Sequence, residues 1–189
     1  MKTHRIELSL PIEAGTLPDP ERVVPVFHAW IRERLLDEVL VDVARYGHVK
    51  EGPAVLLVGH SGDYVIAVTP EGTRLSAVRK RGAAPDAERL ADVAQRLVVA
   101  ASLLEVALPE VRFRTDDLSL RLLDRLNAPN TPETFAALGR EVAAFAREWL
   151  GAVELEHGDD RGGPLEIRIR RAQNEPVAQL AARLPARPS

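Results

Sequence analysis

The side chains best suited to chemistry lie together at residues 59–63, Gly-His-Ser-Gly-Asp. In α/β-hydrolases a serine sits in Gly-x-Ser-x-Gly between a strand and a helix, because small residues on both sides permit the sharp turn. Ser61 fits this pattern, but Asp63 stands where the second glycine is required, and residues 64–68 are typical of a strand. The only later histidine is His157, so a downstream acid–histidine pair is poorly supplied. We therefore reject the hydrolase reading and interpret the segment as a β-hairpin turn, in which Gly59 and Gly62 are expected to have positive φ.

A second possibility is acid–base or metal chemistry by Asp42, His48 and His60. Asp42 interrupts the apolar residues 39–43, and a buried carboxylate must find a partner or shift its pKa. The two histidines flank the predicted strand 54–58, so the three side chains would suit one site if the chain brought them together. A strand of five residues, however, separates its ends by roughly 15–17 Å. We favour structural roles for all three and predict no metal site.

A third candidate is the basic run Arg79, Lys80 and Arg81, which lies between a predicted strand and a predicted helix. Free amides at a helix N-terminus beside three cations suit a phosphate or carboxylate. Asp86 and Glu88 follow in the same region and would satisfy the helix dipole themselves. A solvated strand end is therefore favoured over an anion site, which stays open.

Composition narrows the classes of function. The 189 residues carry a net charge of −3 and only 4% aromatic side chains, which does not favour nucleic acid or a membrane surface as a partner. There is no cysteine, which excludes thiol catalysis and thiolate metal sites. The N-terminal residues run directly into an alternating strand, so we expect no signal peptide and a cytoplasmic location. No cofactor is predicted.

Hydrophobic periodicity places these candidates on an α+β fold. The predicted strands are residues 5–10, 39–43, 54–58, 64–68, 73–79, 111–115, 153–156 and 165–170. Three helices are predicted near residues 19–36, 86–108 and 132–150, and a short helix is possible at 176–184, while residues 118–126 suit either a helix or a strand. Because residues 39–43 are almost continuously apolar, we expect that strand near the centre of the sheet, with the first helix as its crossover.

The fold class that we predict is α+β, a mixed, largely antiparallel sheet with three long-to-medium helices packed on it, in the order β-α-β-β-β-α-β-α-β-β. Residues 1–184 form one domain in this prediction, and residues 185–189 form a disordered tail. The three strands between residues 54 and 79 are expected to form an antiparallel meander.

Part of the chain resembles a family of uncharacterised bacterial proteins. The resemblance rests on residues 26–31, 36–38 and 42–44, on Gly52-Pro53, and on the pairs Gly59-His60 and Asp63-Tyr64. It covers mainly residues 26–64 and implies a bacterial source, but it carries no activity.

Our leading hypothesis is a non-enzymatic binding or assembly protein, because the sequence supplies a good apolar core and few catalytic groups. It would be a homo-oligomer or would bind a protein partner, through a helix stripe or a sheet edge. Two predicted helices carry such stripes: Leu90, Val93, Leu97, Ala101, Leu104 and Leu108 on the second, and Phe135, Leu138, Val142, Phe145 and Trp149 on the third. The alternative is a small-molecule or metal-dependent enzyme that uses Asp42, His48 and His60.

Overall fold

One eight-stranded antiparallel sheet, in the order β2-β3-β4-β5-β1-β6-β8-β7, organises the chain. The structure is a computed structural model, and it describes residues 5–16, 19–46, 52–80, 86–158 and 162–184. Its elements are β1 (Ile6–Pro11), α1 (Pro20–Glu33), β2 (Leu40–Arg45), β3 (Gly52–Gly59), β4 (Gly62–Thr69), β5 (Gly72–Arg79), α2 (Asp86–Ala107), β6 (Asp117–Leu122), α3 (Pro132–Leu150), β7 (Glu154–His157), β8 (Leu165–Arg170) and α4 (Val177–Arg183).

This architecture confirms the α+β class with helices packed on a largely antiparallel sheet. The predicted order wrote three strands between the first two helices, although four strand ranges were predicted there, and the structure has the four strands β2 to β5; the short helix α4 follows β8. Residues 118–126, which periodicity could not assign, contain most of strand β6. Residues 111–115 do not form a strand, because only Phe113 makes an isolated bridge, to Ile12. The predicted tail, residues 185–189, lies outside the described residues.

Strand β2 lies at the edge of the sheet, which corrects the prediction that it is central. Only part of its apolar run faces the core: Leu40 and Val43 pack there, whereas Val39 and Val41 are 70% and 63% exposed. The register shifts between Leu40 and Asp42, as at a β-bulge, so one residue more stands on β2 than on β3. The apolar run at residues 39–43 therefore lies at the edge of the sheet, where two of its side chains are exposed.

Capping residues and apolar stripes explain the helices. The Asp19 side chain accepts a hydrogen bond from the Glu21 backbone N–H at the start of α1, and Thr131 accepts one from Thr134 at the start of α3. The predicted stripe of α2, residues 90 to 108, is buried in the core, and the Trp149 indole of α3 donates to the carbonyl of Leu180 in α4. None of the described helices has the length and apolar character needed to cross a membrane. The apolar stripe of α2 thus packs within the chain's own core.

The strands alternate between an apolar face, which packs in the core with the helices, and a second face that is mostly polar between β5 and β7. On the second face, Ser9 of β1 stands directly opposite Ser76 of β5 and Ser119 of β6. This row of serines is the floor of a hollow of about 470 Å³ on that face.

The β3–β4 turn requires glycine for space. Neither Gly59 nor Gly62 has a positive φ, contrary to the prediction from turn chemistry. A Cβ on Gly59 would lie 2.3 Å from the carbonyl oxygen of Gly62, and one on Gly62 would lie 3.0 Å from the carbonyl oxygen of Val78. Backbone atoms therefore occupy the positions that a side chain would need.

We predict that Gly59→Ala lowers the free energy of unfolding by about 2 kcal/mol or more, because a methyl group overpacks a rigid backbone. Gly139→Ala is the matched control, since no atom lies within 4 Å of a Cβ at this buried helical position. That change should be neutral or stabilise by roughly 0.5–1 kcal/mol, the helical preference of alanine over glycine. Urea denaturation measures both values, and equal stability of the two variants would contradict the steric argument.

Candidate functional site

The densest group of buried charges lies where the β3–β4 turn meets helix α2, and we call it the turn cluster. It consists of Glu38, Ser61, Arg79, Asp92 and Arg96. Glu38 comes from the connection between α1 and β2, Ser61 from the turn, Arg79 from β5, and the other two from α2. Four separate parts of the chain are therefore joined by one network.

Glu38 is the centre of the turn cluster. Its Oε1 accepts the Ser61 backbone N–H at 2.9 Å, and its Oε2 accepts the Ser61 hydroxyl at 2.5 Å and an N–H from Nη1 of Arg96. Nη2 of Arg96 also donates to the Ser61 Oγ at 3.0 Å. The Glu38 side chain is 2% exposed and the Arg96 side chain 12%, so this ion pair is almost removed from water. Such a pair needs these hydrogen bonds to offset the loss of hydration.

Asp92 extends the turn cluster along α2. Its Oδ2 accepts hydrogen bonds from Nε of Arg96 at 2.9 Å and from Nε of Arg79 at 2.8 Å. Nη1 of Arg79 is buried and has no hydrogen-bond partner within the described structure. The guanidinium groups of Arg79 and Arg96 are thus both paired with the Asp92 carboxylate of the same chain.

The two described cations of the predicted anion site pair with different carboxylates of the chain. Arg79 pairs with Asp92, and the Lys80 ammonium lies 2.7 Å from Oδ1 of Asp63 while it donates to the carbonyl of Gly59 at 2.8 Å. Arg81 lies outside the described residues. An anion site at residues 79–81 stays a prediction, and these internal pairings do not support it.

The predicted acid–base site receives no geometric support either. Asp42 is exposed on edge strand β2, and its Oδ1 accepts the backbone N–H of Val43 at 2.8 Å, so the expected burial of this carboxylate was wrong. His60 is exposed, and its backbone N–H donates to the carbonyl of Val39 at 2.8 Å. His48 lies outside the described residues. Within the described part of the chain, no three His, Asp or Glu side chains form a group that could hold a metal ion.

The pKa shifts in the turn cluster are those of a structural network. Burial alone would raise the pKa of Glu38, but hydrogen bonds from Ser61 and Arg96 outweigh it and hold that pKa below its ordinary value. The same balance of burial against Arg96 and Arg79 lowers the pKa of Asp92. A general base at neutral pH needs the opposite shift, toward pH 7. Burial raises the pKa of Tyr64 next to Arg96, so its phenol stays protonated.

Glu38, Asp92 and Arg96 were not predicted from the sequence. Glu38 is 23 residues from Ser61 and 58 residues from Arg96, so no local spacing connects them. The one local signal is the spacing of Asp92 and Arg96, four residues apart on a helix, which is typical of an ion pair. No protein-family model and no curated protein matches the sequence, so no activity is transferred to the turn cluster from a relative.

We predict that Glu38→Gln lowers the free energy of unfolding by about 3 kcal/mol, because the substitution leaves Arg96 buried without its main counter-charge. Glu33→Gln is the matched control: Glu33 pairs with Arg32 on the surface, where its side chain is 50% exposed, and its loss should cost less than about 1 kcal/mol. Chemical denaturation at neutral pH compares the two variants. A Glu38→Gln protein as stable as the control would show that the pair contributes little.

The lowered pKa values of Glu38 and Asp92 also predict a pH dependence. Their folded-state pKa values lie below the unfolded ones, so the unfolded chain binds more protons as the pH falls. Their contribution to stability is complete above the ordinary carboxyl range, about pH 4–4.5, and is lost as the pH falls through the folded values. Denaturation at a series of pH values should show a shallower acid decline in Glu38→Gln than in the wild type. Parallel curves would contradict this assignment.

Proposed function

We propose that this chain is a non-enzymatic assembly protein that associates with a second copy of itself at the β2 edge of its sheet. The observation that carries the proposal is an exposed apolar group, which we call the edge patch, formed by Leu35, Val39 and Val41. These side chains are 43%, 70% and 63% exposed and lie within seven residues of one another in sequence. Contiguous exposed apolar surface is typical of a binding site.

The edge patch is held in a fixed position. Between Leu35 and Val39, the buried side chain of Leu36 contacts the core and the Glu38 carboxylate is locked by Ser61 and Arg96. The backbone N–H of His60 also donates to the carbonyl of Val39. A preformed surface loses little conformational entropy on binding, which favours association.

Side-chain packing is a better mode of association here than strand addition. The β-bulge interrupts β2 at Val41, and the Asp42 carboxylate already accepts the backbone N–H of Val43. Natural edge strands use such bulges and charges to prevent pairing with other chains. Of the helix stripes, the other predicted route, that of α2 is buried inside the protein. That of α3 is buried at Val142 and Trp149 and packs against the core at Phe135, Leu138 and Phe145.

A second copy suits the edge patch because a two-fold pair places the same apolar surface on both sides of the interface, where the valines of the two copies pack together. A cavity of about 820 Å³, bordered by Ile31, Leu40 and His60, adjoins the patch and offers space for side chains of the second copy.

The absence of enzymatic function in this proposal rests on how the reactive groups are used. The Ser61 hydroxyl donates to a carboxylate with a lowered pKa, which makes that carboxylate a weak base. The Asp42 carboxylate accepts a hydrogen bond from the neighbouring backbone N–H of Val43. The alternative, an enzyme that uses Asp42, His48 and His60, remains a prediction, and no contact between its two described members, Asp42 and His60, supports it.

We predict that Val39→Lys converts a dimer into a monomer, because a charge at the centre of the edge patch faces its own copy across the two-fold axis. Val106→Lys is the matched control, since Val106 is 79% exposed on α2 and lies outside the patch. Light scattering after size-exclusion chromatography gives the mass of each protein, and thermal melting shows that both variants are folded. A wild-type monomer from micromolar to near-millimolar concentration, or equal dissociation of both variants, would overturn the proposal.

A further inference from the structure

A hollow of about 470 Å³ lies on the polar face of the sheet, and its volume is within the roughly 300–1,000 Å³ of small-molecule sites. Its floor is the row of Ser76, Ser9 and Ser119, which stand side by side on three adjacent strands. All three serines are buried, although the side chains that line the hollow with them are mostly polar or charged. Three small residues in a row leave open space between the longer side chains of this face.

The β4–β5 turn forms a wall of the hollow. Thr69, Pro70 and Glu71 of this turn contribute to the lining. Glu71 forms an ion pair with Arg168 of β8, although β1 and β6 lie between β5 and β8 in the sheet. The side chains of Glu71 and Arg168 therefore meet across the width of these two strands.

Opposite charges stand next to one another in the lining. Nη1 of Arg121 lies 3.6 Å from Oε2 of Glu7, and Nε of Arg168 lies 3.4 Å from Oε1 of Glu166. In the strand register, Arg121 of β6 stands between Glu7 of β1 and Glu166 of β8. The whole lining contains three glutamates and three arginines, so its positive and negative groups are equal in number and intermixed.

Intermixed charges disfavour a ligand that is itself charged. An anion or a cation would gain attraction from the nearest group and meet repulsion from the group beside it, at almost the same distance. It would also lose part of its hydration, which is costly for an ion that gains no counter-charge of its own. The lining therefore favours a ligand that carries no charged group.

Arg74 is neutralised in charge but keeps hydrogen-bonding capacity. Its side chain is 11% exposed, its Nε donates to the Ser9 Oγ at 2.9 Å, and its Nη2 donates to the Asp117 carbonyl at 2.9 Å. Its Nη1 lies 3.7 Å from the Asp117 carboxylate, beyond hydrogen-bond distance, and no described residue accepts a hydrogen bond from it. An N–H group that is mostly removed from water needs an acceptor.

Two carboxylates of the lining are oriented by the floor and keep acceptor sites. The Ser76 hydroxyl donates to Oε1 of Glu7 at 2.7 Å, and the Ser119 hydroxyl donates to Oε1 of Glu166 at 2.8 Å. An ionised carboxylate has about four acceptor sites, so each of these bonds uses only part of its capacity. The hollow therefore offers fixed donors and fixed acceptors close together.

A hydroxyl group matches this lining, because it both accepts and donates hydrogen bonds and carries no charge. We propose that the hollow binds a neutral polyhydroxylated ligand of monosaccharide size, which accepts hydrogen bonds from Arg74 and Arg168 and donates them to Glu7 and Glu166. A hydroxyl on most carbon atoms lets one small molecule reach several donors and acceptors at once. The site does not depend on self-association, since β3 and β4 separate the edge strand β2 from β5.

Titration of the isotope-labelled protein with glucose, galactose and myo-inositol, followed by NMR, tests the proposal. At least one of these polyols should shift the backbone amide signals of Ser9, Ser76 and Ser119 saturably. Glucosamine and glucuronate each carry a charge, and N-acetylglycinamide is a neutral amide with its polar groups at only two points. Each of these three compounds should bind at least about tenfold more weakly than the best polyol.

Arg74→Gln should weaken the binding of that polyol by at least about tenfold, because it removes the guanidinium group whose Nη1 lacks an acceptor among the described residues. Arg168→Gln should weaken binding by a similar factor. Arg170→Gln is the matched control: Arg170 lies on the same strand, pairs with Glu156 where its side chain is 49% exposed, and does not line the hollow.

Thermal melting establishes that each variant is folded, and Arg168→Gln carries the test if Arg74→Gln is unfolded. Binding that persists in Val39→Lys separates this site from the edge patch. The proposal is refuted by the absence of a saturable shift with all three polyols, by equal binding of the charged or amide compounds, or by unchanged affinity in the folded hollow variants.

Discussion

The ion pair between Glu38 and Arg96 is the constraint on which the sheet edge depends. A carboxylate that is 2% exposed must be paired, and its partners come from the β3–β4 turn and from α2. The pairing draws these segments so close that Gly62 has Nη1 of Arg96 only 2.9 Å from the position of a Cβ. It also fixes the connection on which the edge patch is carried. The close approach of Arg96 to Gly62 and the position of the patch thus have one origin.

The sequence predicted those features that depend on residues close together along the chain. The meander and the long helices follow from periodicity, from caps such as Asp19 and Thr131, and from turns. The rejection of a hydrolase elbow has the same basis, because β4 follows Ser61 directly as a strand. These features require no knowledge of the distant chain.

What the sequence did not predict depends on partners far apart. An apolar run such as residues 39–43 suits a central strand or an edge with an exposed patch, and only the neighbours decide between them. The basic run at residues 79–81 likewise resembled an anion site until Asp92 and Asp63 supplied counter-charges. The serine floor joins Ser9 to residues 67 and 110 positions away, through strand register alone. Register is a property of the whole sheet.

Buried polar networks fix the relative positions of chain segments more reliably than they increase the free energy of unfolding. Apolar residues of similar volume can replace a buried ion pair without loss of stability in other proteins, so the pair is weak evidence for a stabilising role. In the turn cluster the hydrogen bonds are directional and join four segments, so they select one placement of the α1–β2 connection. The same reasoning applies on the polar face, where the hydroxyls of Ser76 and Ser119 orient the carboxylates of Glu7 and Glu166. In both places, hydrogen bonds between segments that are distant in sequence determine where the charged side chains lie.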